Sequence, residues 1–198
     1  MKNIFIDNKL VIASHNLGKI KEFKKILAPH NIEVLSAIDI DLPDVEETGT
    51  TFLENAILKA KESAEHCGFT VLADDSGLCV NALNGRPGVY SARYAPNRDF
   101  DKGMDKLINE ISETKTTDWS AYFTCTLALV TPDGKEHIYE GKVDGTIITT
   151  KKGGGFGFDP IFVPNGYEKT FGEFTAEDKN AISHRGRALE KFVNDVFK

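Results

Sequence analysis

Leu10-Val11-Ile12-Ala13-Ser14-His15-Asn16-Leu17-Gly18-Lys19 is the stretch that decides the fold class. Four consecutive apolar residues, two of them β-branched, read as a short strand buried on both faces. Residues 14–18 break the run with polar and small side chains. From Lys19 the apolar positions Ile20, Phe23, Ile26 and Leu27 fall at helical spacing until Pro29 stops the pattern. A buried strand passing through a short loop into an amphipathic helix is the opening of an α/β unit.

Residues 32–35 form a second apolar strand, followed by an acidic loop over 37–49 that carries Glu46 and Glu47. Thr51-x-x-Glu54 is a capping box. It opens a helix with Phe52, Ala56, Ala60, Ala64 and Cys67 on one face, closed by Gly68. Residues 69–73 predict a strand ending in Asp74-Asp75-Ser76-Gly77, and residues 78–83 predict a separate strand. A long loop starts at Gly85, and residues 99–114 read as an amphipathic helix with Met104, Leu107, Ile108 and Ile111 facing one way. Residues 119–131 and 136–148 alternate well enough to form a hairpin about the turn Pro132-Asp133-Gly134-Lys135. A short strand covers 161–163. The C-terminus is helical, with Ile182, Leu189, Val193 and Val196 on one face and Ser183 capping a fresh helix whose first turn holds His184 and Arg185. The expected architecture is α/β, a mixed twisted sheet with flanking helices, in one domain over residues 1–198.

With 198 residues, 40% hydrophobic and 27% charged, the chain is ordinary for a globular protein with a substantial core. Its net charge of −6 argues against a nucleic-acid backbone as partner. Cys67, Cys79 and Cys125 are odd in number and lack metal-ligand spacing, so they read as reduced core thiols. The N-terminal Met1-Lys2-Asn3-Ile4-Phe5-Ile6-Asp7 contains no secretory h-region, and no run nears the ~18 apolar residues of a membrane span. The expectation is a cytoplasmic protein that binds neither nucleic acid nor membrane.

Four clusters carry chemistry. Ser14, His15, Asn16, Leu17, Gly18 and Lys19 lead into a helix N-terminus, where backbone N–H groups and the helix dipole favour an anion. The same residues also suit a plain capped helix start with Asn16 as N-cap and Lys19 solvated; where Lys19 instead meets an anion, its charge is disfavoured by the helix dipole, and removing it leaves stability unchanged or slightly raised while weakening anion binding. Glu46-Glu47 and Asp74-Asp75 offer hard oxygen donors of the kind Mg²⁺ takes together with water and phosphate. Gly153-Gly154-Gly155-Phe156-Gly157-Phe158-Asp159-Pro160 combines close backbone approach, aromatic faces and a carboxylate. It suits a loop holding a base and a phosphate, or a turn with two core phenylalanines. Lys179, His184, Arg185 and Arg187 add donors that match phosphate or the acceptor edge of a base. No G-x-S-x-G elbow and no zinc-type His cluster is present.

Taken together these motifs resemble the inosine triphosphate pyrophosphatase family, the Ham1-like non-canonical purine NTP pyrophosphatases. The resemblance rests on residues 14–19, 46–49 through 55–60, 73–78, 85–94, 154–160 and 179–186, in order along nearly the whole chain. The opening loop often carries Thr-Gly-Asn elsewhere in the family and is Ser-His-Asn here. At Phe158 other members have Tyr or Trp, which keeps a stacking face. The resemblance implies an elongated bilobed α/β fold with a central active-site cleft, a homodimer, and Mg²⁺ dependence. It implies hydrolysis of deaminated purine triphosphates such as ITP, dITP and XTP to the monophosphate and pyrophosphate. Carried over by position, Ser14, His15, Asn16, Leu17, Gly18, Lys19 and Lys59 bind the triphosphate, while Glu47 and Asp75 serve the metal. Asp75 is the expected general base, with Asp74 able to take one of its two roles. Ser76 contacts substrate; Phe156, Gly157, Phe158 and Asp159 hold the nucleoside; Lys179, His184 and Arg185 face base or phosphates. A Maf-like nucleotide pyrophosphatase and a non-catalytic nucleotide-binding module are the competing readings. The intact Glu47, Asp74 and Asp75 argue against the second.

Overall fold

The computed structural model describes residues 4–198; Met1, Lys2 and Asn3, which head the stretch read for a leader, lie outside the described residues. The strands are β1 (Lys9–Ile12), β2 (Glu33–Ser36), β3 (Thr70–Val80), β4 (Ser120–Val130), β5 (Glu136–Ile147) and β6 (Phe162–Pro164). The helices are α1 (Leu17–Leu27), α2 (Phe52–Cys67), α3 (Phe100–Glu113), α4 (Ala176–Ile182) and α5 (His184–Val196). The six strands form one sheet in the order β2-β1-β3-β4-β5-β6. β1 runs parallel to β2 and β3, while β5 and β6 are antiparallel, so the sheet is mixed as expected.

The chain divides into two compact units. The first comprises residues 1–75, 126–140 and 188–198, and the second residues 76–125 and 141–187. In the first unit Val11, Val71, Ala73, Ala128 and Val130 of the strands pack with Ala56, Ala60 and Ala64 of α2. The alanine stripe lets α2 lie close to the sheet. Its ends are those the sequence specifies: the Thr51 hydroxyl accepts from Glu54 N–H, the Glu54 carboxylate accepts from Thr51 N–H, and Gly68 closes the helix in the left-handed region. In the second unit Leu107 and Ile111 of α3 join Phe123, Val143, Ile147, Phe162 and Phe171 in an aromatic-rich core.

Two expectations are corrected. Asp74-Asp75-Ser76-Gly77 does not end a strand: β3 runs unbroken from Thr70 to Val80, and the separate strand over 78–83 is its second half. Polar side chains survive inside a buried strand because each finds a partner of opposite character, as described below. In α5 the fully buried aromatic is Phe192, with Ala188 and Leu189, whereas Val193 is only half-buried. Ser183 does start a new helix, its hydroxyl accepting from Gly186 N–H at 3.1 Å.

Candidate functional site

The first unit gathers most of the acidic and basic candidates. β1 hands the chain to α1 through an Asn-capped turn. Asn16 Oδ1 accepts from Gly18 N–H at 2.9 Å and Lys19 N–H at 3.1 Å, and Ser14 Oγ accepts from Asn16 N–H. Lys19 is not solvated. Its ammonium lies 2.8 Å from Asp74 Oδ2, with 18% of the lysine side chain and 2% of the aspartate side chain exposed. His15 turns to the acidic loop, its Nε2 2.9 Å from Leu42 O and its Nδ1 3.5 Å from Asp44. Leu17 is exposed.

Lys59, two turns into α2, is the hub. Its Nζ lies 2.5 Å from Glu47 Oε1, 2.7 Å from Asp74 O and 3.9 Å from Asp75 Oδ1. Of the two loop glutamates, Glu47 turns to this cluster and Glu46 is exposed. Asp75 Oδ2 accepts from Asn55 Nδ2 at 3.0 Å. Burial pushes the Asp75 carboxyl up to about 6; Lys59 pulls against that shift, the Glu47 charge adds to it, and Asn55 opposes it. For Lys59, burial works to lower the pKa, but the charges of Asp74, Asp75 and Glu47 outweigh it and hold the ammonium form. A buried carboxylate with a pKa near 6 is well matched to accept a proton close to neutrality.

The metal expectation fits this donor set. Glu47 and Asp75 present hard carboxylate oxygens to a common neighbour, Lys59, and their mutual repulsion is the kind a divalent cation offsets. No group of three or more His, Cys, Asp or Glu side chains forms a metal shell among the described residues. Hard carboxylate oxygens of this kind suit a cation such as Mg²⁺ that keeps water and phosphate among its ligands.

The second unit holds the Gly-rich loop and the basic C-terminal residues. Asp159 is buried and organises the loop: its Oδ2 accepts from Phe156 N–H at 2.8 Å and from Lys179 Nζ at 2.5 Å. Gly154 N–H donates to Gly172 O at 2.8 Å, so that part of the loop is fastened to its neighbour. The two phenylalanines separate. Phe156 is 47% exposed, whereas Phe158 is 1% exposed and packs edge-on against Tyr94 and Phe100. Gly157, between them, has a positive φ. Arg185 Nη2 donates to Ser76 Oγ at 3.0 Å, and the His184 ring stacks on Phe123 with centroids 4.8 Å apart.

Sequence reasoning missed Asn55. An amide in a helix interior reads as a solvated position. The available signal was its place four residues before Lys59, on the same helix face.

Compared with known proteins, the chain matches the Ham1 family over residues 10–195. It is 45% identical over 196 residues to a dITP/XTP pyrophosphatase of Gluconobacter oxydans, covering 98% of this chain and 93% of that protein. It is 47% identical over 191 residues to a dITP/XTP pyrophosphatase of Streptomyces coelicolor, covering 93% and 95%. Among solved structures, a HAM1 protein from Coxiella burnetii superposes with a TM-score of 0.90 at 39% identity, covering 95% of this chain and 98% of that one. The Staphylococcus aureus Ham1 protein superposes with a TM-score of 0.86 at 43% identity, covering 95% and 97%.

Proposed function

The chain belongs to the Ham1 family, and from that premise we propose that it hydrolyses non-canonical purine nucleoside triphosphates, ITP, dITP and XTP, to the monophosphate and pyrophosphate. The observation that carries the chemistry is the cluster of Glu47, Asp74 and Asp75 about Lys59 and Lys19, with one carboxyl poised near pH 6. The relatives named dITP/XTP pyrophosphatase support the substrate class.

In this reading Lys19 and Lys59 carry the positive charge that offsets the triphosphate, with the turn of residues 14–18 beside them. Asp75 takes a proton from the attacking water. The water oxygen bonds to the α-phosphorus, the bond from that phosphorus to the α–β bridging oxygen breaks, and pyrophosphate leaves with the electron pair. Glu47 and Asp75 would hold Mg²⁺, which when bound neutralises phosphate charge and lowers the pKa of bound water. Asp74 holds Lys19 in place. On the second unit Phe156 supplies the exposed ring for stacking on the base, while Lys179, His184 and Arg185 are the donors for base or phosphate. Arg185, held by Ser76, donates to a six-keto oxygen and meets adenine's amino group with like polarity. Phe158, Gly157 and Asp159 shape the loop that carries Phe156. The family resemblance also supports a cytoplasmic homodimer.

Pyrophosphate release from ITP, dITP, XTP and ATP, with Mg²⁺ and with a chelator, tests this. ITP and XTP should turn over far faster than ATP, only with the cation. Equal rates for ATP and ITP would remove the six-keto selectivity, and orthophosphate as first product would rule out attack at the α-phosphorus.

A further inference from the structure

Asn55 is fully buried on α2, and its amide is used at both ends. Nδ2 donates to Asp75 Oδ2 at 3.0 Å, and Oδ1 accepts from Gly49 N–H at 2.8 Å. The two partners demand the same orientation of the amide, because the carboxylate can only accept and the backbone N–H can only donate. A flipped amide would lose both bonds. The approach of the loop backbone is close: a Cβ on Gly49 would lie 2.6 Å from Asn55 Oδ1 and 2.7 Å from Glu54 Cβ. Lys59 follows Asn55 by one helical turn on the same face and handles the complementary atoms, Glu47 Oε1 and Asp75 Oδ1.

We propose that Asn55 is a positioning residue for the reaction: its single amide fixes the orientation of the Asp75 carboxylate and pins the loop that delivers Glu47 two residues before Gly49. The inference rests on the pyrophosphatase reading for its catalytic consequence and on the two amide bonds for its geometry. With Oδ2 held by Nδ2, the carboxylate cannot rotate freely, and Oδ1 lies 3.9 Å from Lys59 Nζ. One amide therefore sets the relative placement of the two carboxylates on which the chemistry depends. Partners of this kind are worth roughly 10–100-fold in activity or metal affinity in other sites.

The test is a double-mutant cycle on pyrophosphate release from ITP, joining Asn55→Ser with Asp75→Asn, each variant first shown to be folded by thermal melt. Asn55→Ser should lower kcat roughly 10–100-fold while KM stays within about twofold. In the Asp75→Asn background it should cost less than it does alone, because the part of the effect that passes through Asp75 is already lost. Near-normal kcat in Asn55→Ser, or a full second loss in the Asp75→Asn background, would overturn the proposal. If Asn55→Ser does not fold, Asn55→Thr carries the same comparison, since it too lacks the amide that joins Gly49 to Asp75 without adding a charge. A second arm is independent of activity. In amide NMR spectra the Asn55 Nδ2 protons should exchange slowly with solvent and shift in Asp75→Asn, and fast exchange with no shift would refute the contact. Failure of the wild type to release pyrophosphate from any triphosphate would sink the function instead, leaving the NMR arm to decide the geometry.

Discussion

Lys19 Nζ lies 2.8 Å from Asp74 Oδ2, in a pair where the carboxylate is almost wholly buried. The helix-terminal position of this lysine, unfavourable against the dipole of α1, is therefore compensated within the fold before any substrate arrives. The expectation that its removal leaves stability untouched is revised. Lys19→Ala should lower stability by on the order of 2–3 kcal/mol, because it takes the ammonium away from a buried carboxylate. It should also reduce kcat/KM for ITP by about tenfold or more, the scale of one charge-assisted hydrogen bond. Denaturant melts and steady-state kinetics on one preparation read both effects; unchanged stability would mean the pair contributes nothing net.

Asp75→Asn should lower kcat by roughly 10²–10⁴-fold with the fold intact, the usual loss for a general base. Its stability should move with pH. Asp75 titrates near 3.8 when unfolded and about 6 when folded, so its contribution is fully present below pH 4 and is lost as pH rises through 6. The asparagine has no such loss. Without divalent cation, the Tm of Asp75→Asn relative to the wild type should therefore rise from pH 4 to about pH 6 and then level off. Added Mg²⁺ should close that gap by stabilising the wild type. A gap that does not change with pH would contradict the raised pKa.

The two phenylalanines of the Gly-rich loop should separate cleanly on substitution. Phe156 is half-exposed and touches Phe100 only edge-on, so Phe156→Ala should leave Tm nearly unchanged. Its loss should weaken ITP binding by about 1–3 kcal/mol, the scale of one aromatic–base stack. Phe158→Ala empties a site within the aromatic core and should cost about 3–5 kcal/mol of stability. The reverse pattern, with Phe158→Ala stable and weak in binding, would return the stacking role to Phe158.

The elements read best from sequence are those with local chemistry. The Thr51/Glu54 box, the Gly68 stop, the Ser183 cap and the β4–β5 turn all follow from neighbours within a few residues. The continuity of β3 through Asp74, Asp75, Ser76 and Gly77 was not readable that way. A polar run ends a strand unless distant partners satisfy it, and here Lys19 and Asn55 do so from 55 and 20 positions away in sequence. Asn55 was hidden for the same reason. The exposure of Phe156 and burial of Phe158 were equally out of reach, because an irregular loop has no period that assigns faces.

Gly155 offers the last test, directed at the loop rather than its aromatics. Its φ is +95°, where a side chain is strained, and an added Cβ would stand 2.7 Å from Asp159 Oδ2. That oxygen already accepts from Phe156 N–H and Lys179 Nζ. Gly155→Ala must therefore either push Asp159 off both donors or distort the turn that holds Phe156. Either route moves the exposed ring and the lysine together. The variant should raise KM for ITP at least severalfold with a smaller change in kcat, and lower Tm by a few degrees. Phe156→Ala in the same background should then add less than it does alone, since the ring is already displaced. Full additivity of the two substitutions would show that the loop geometry does not govern where Phe156 stands.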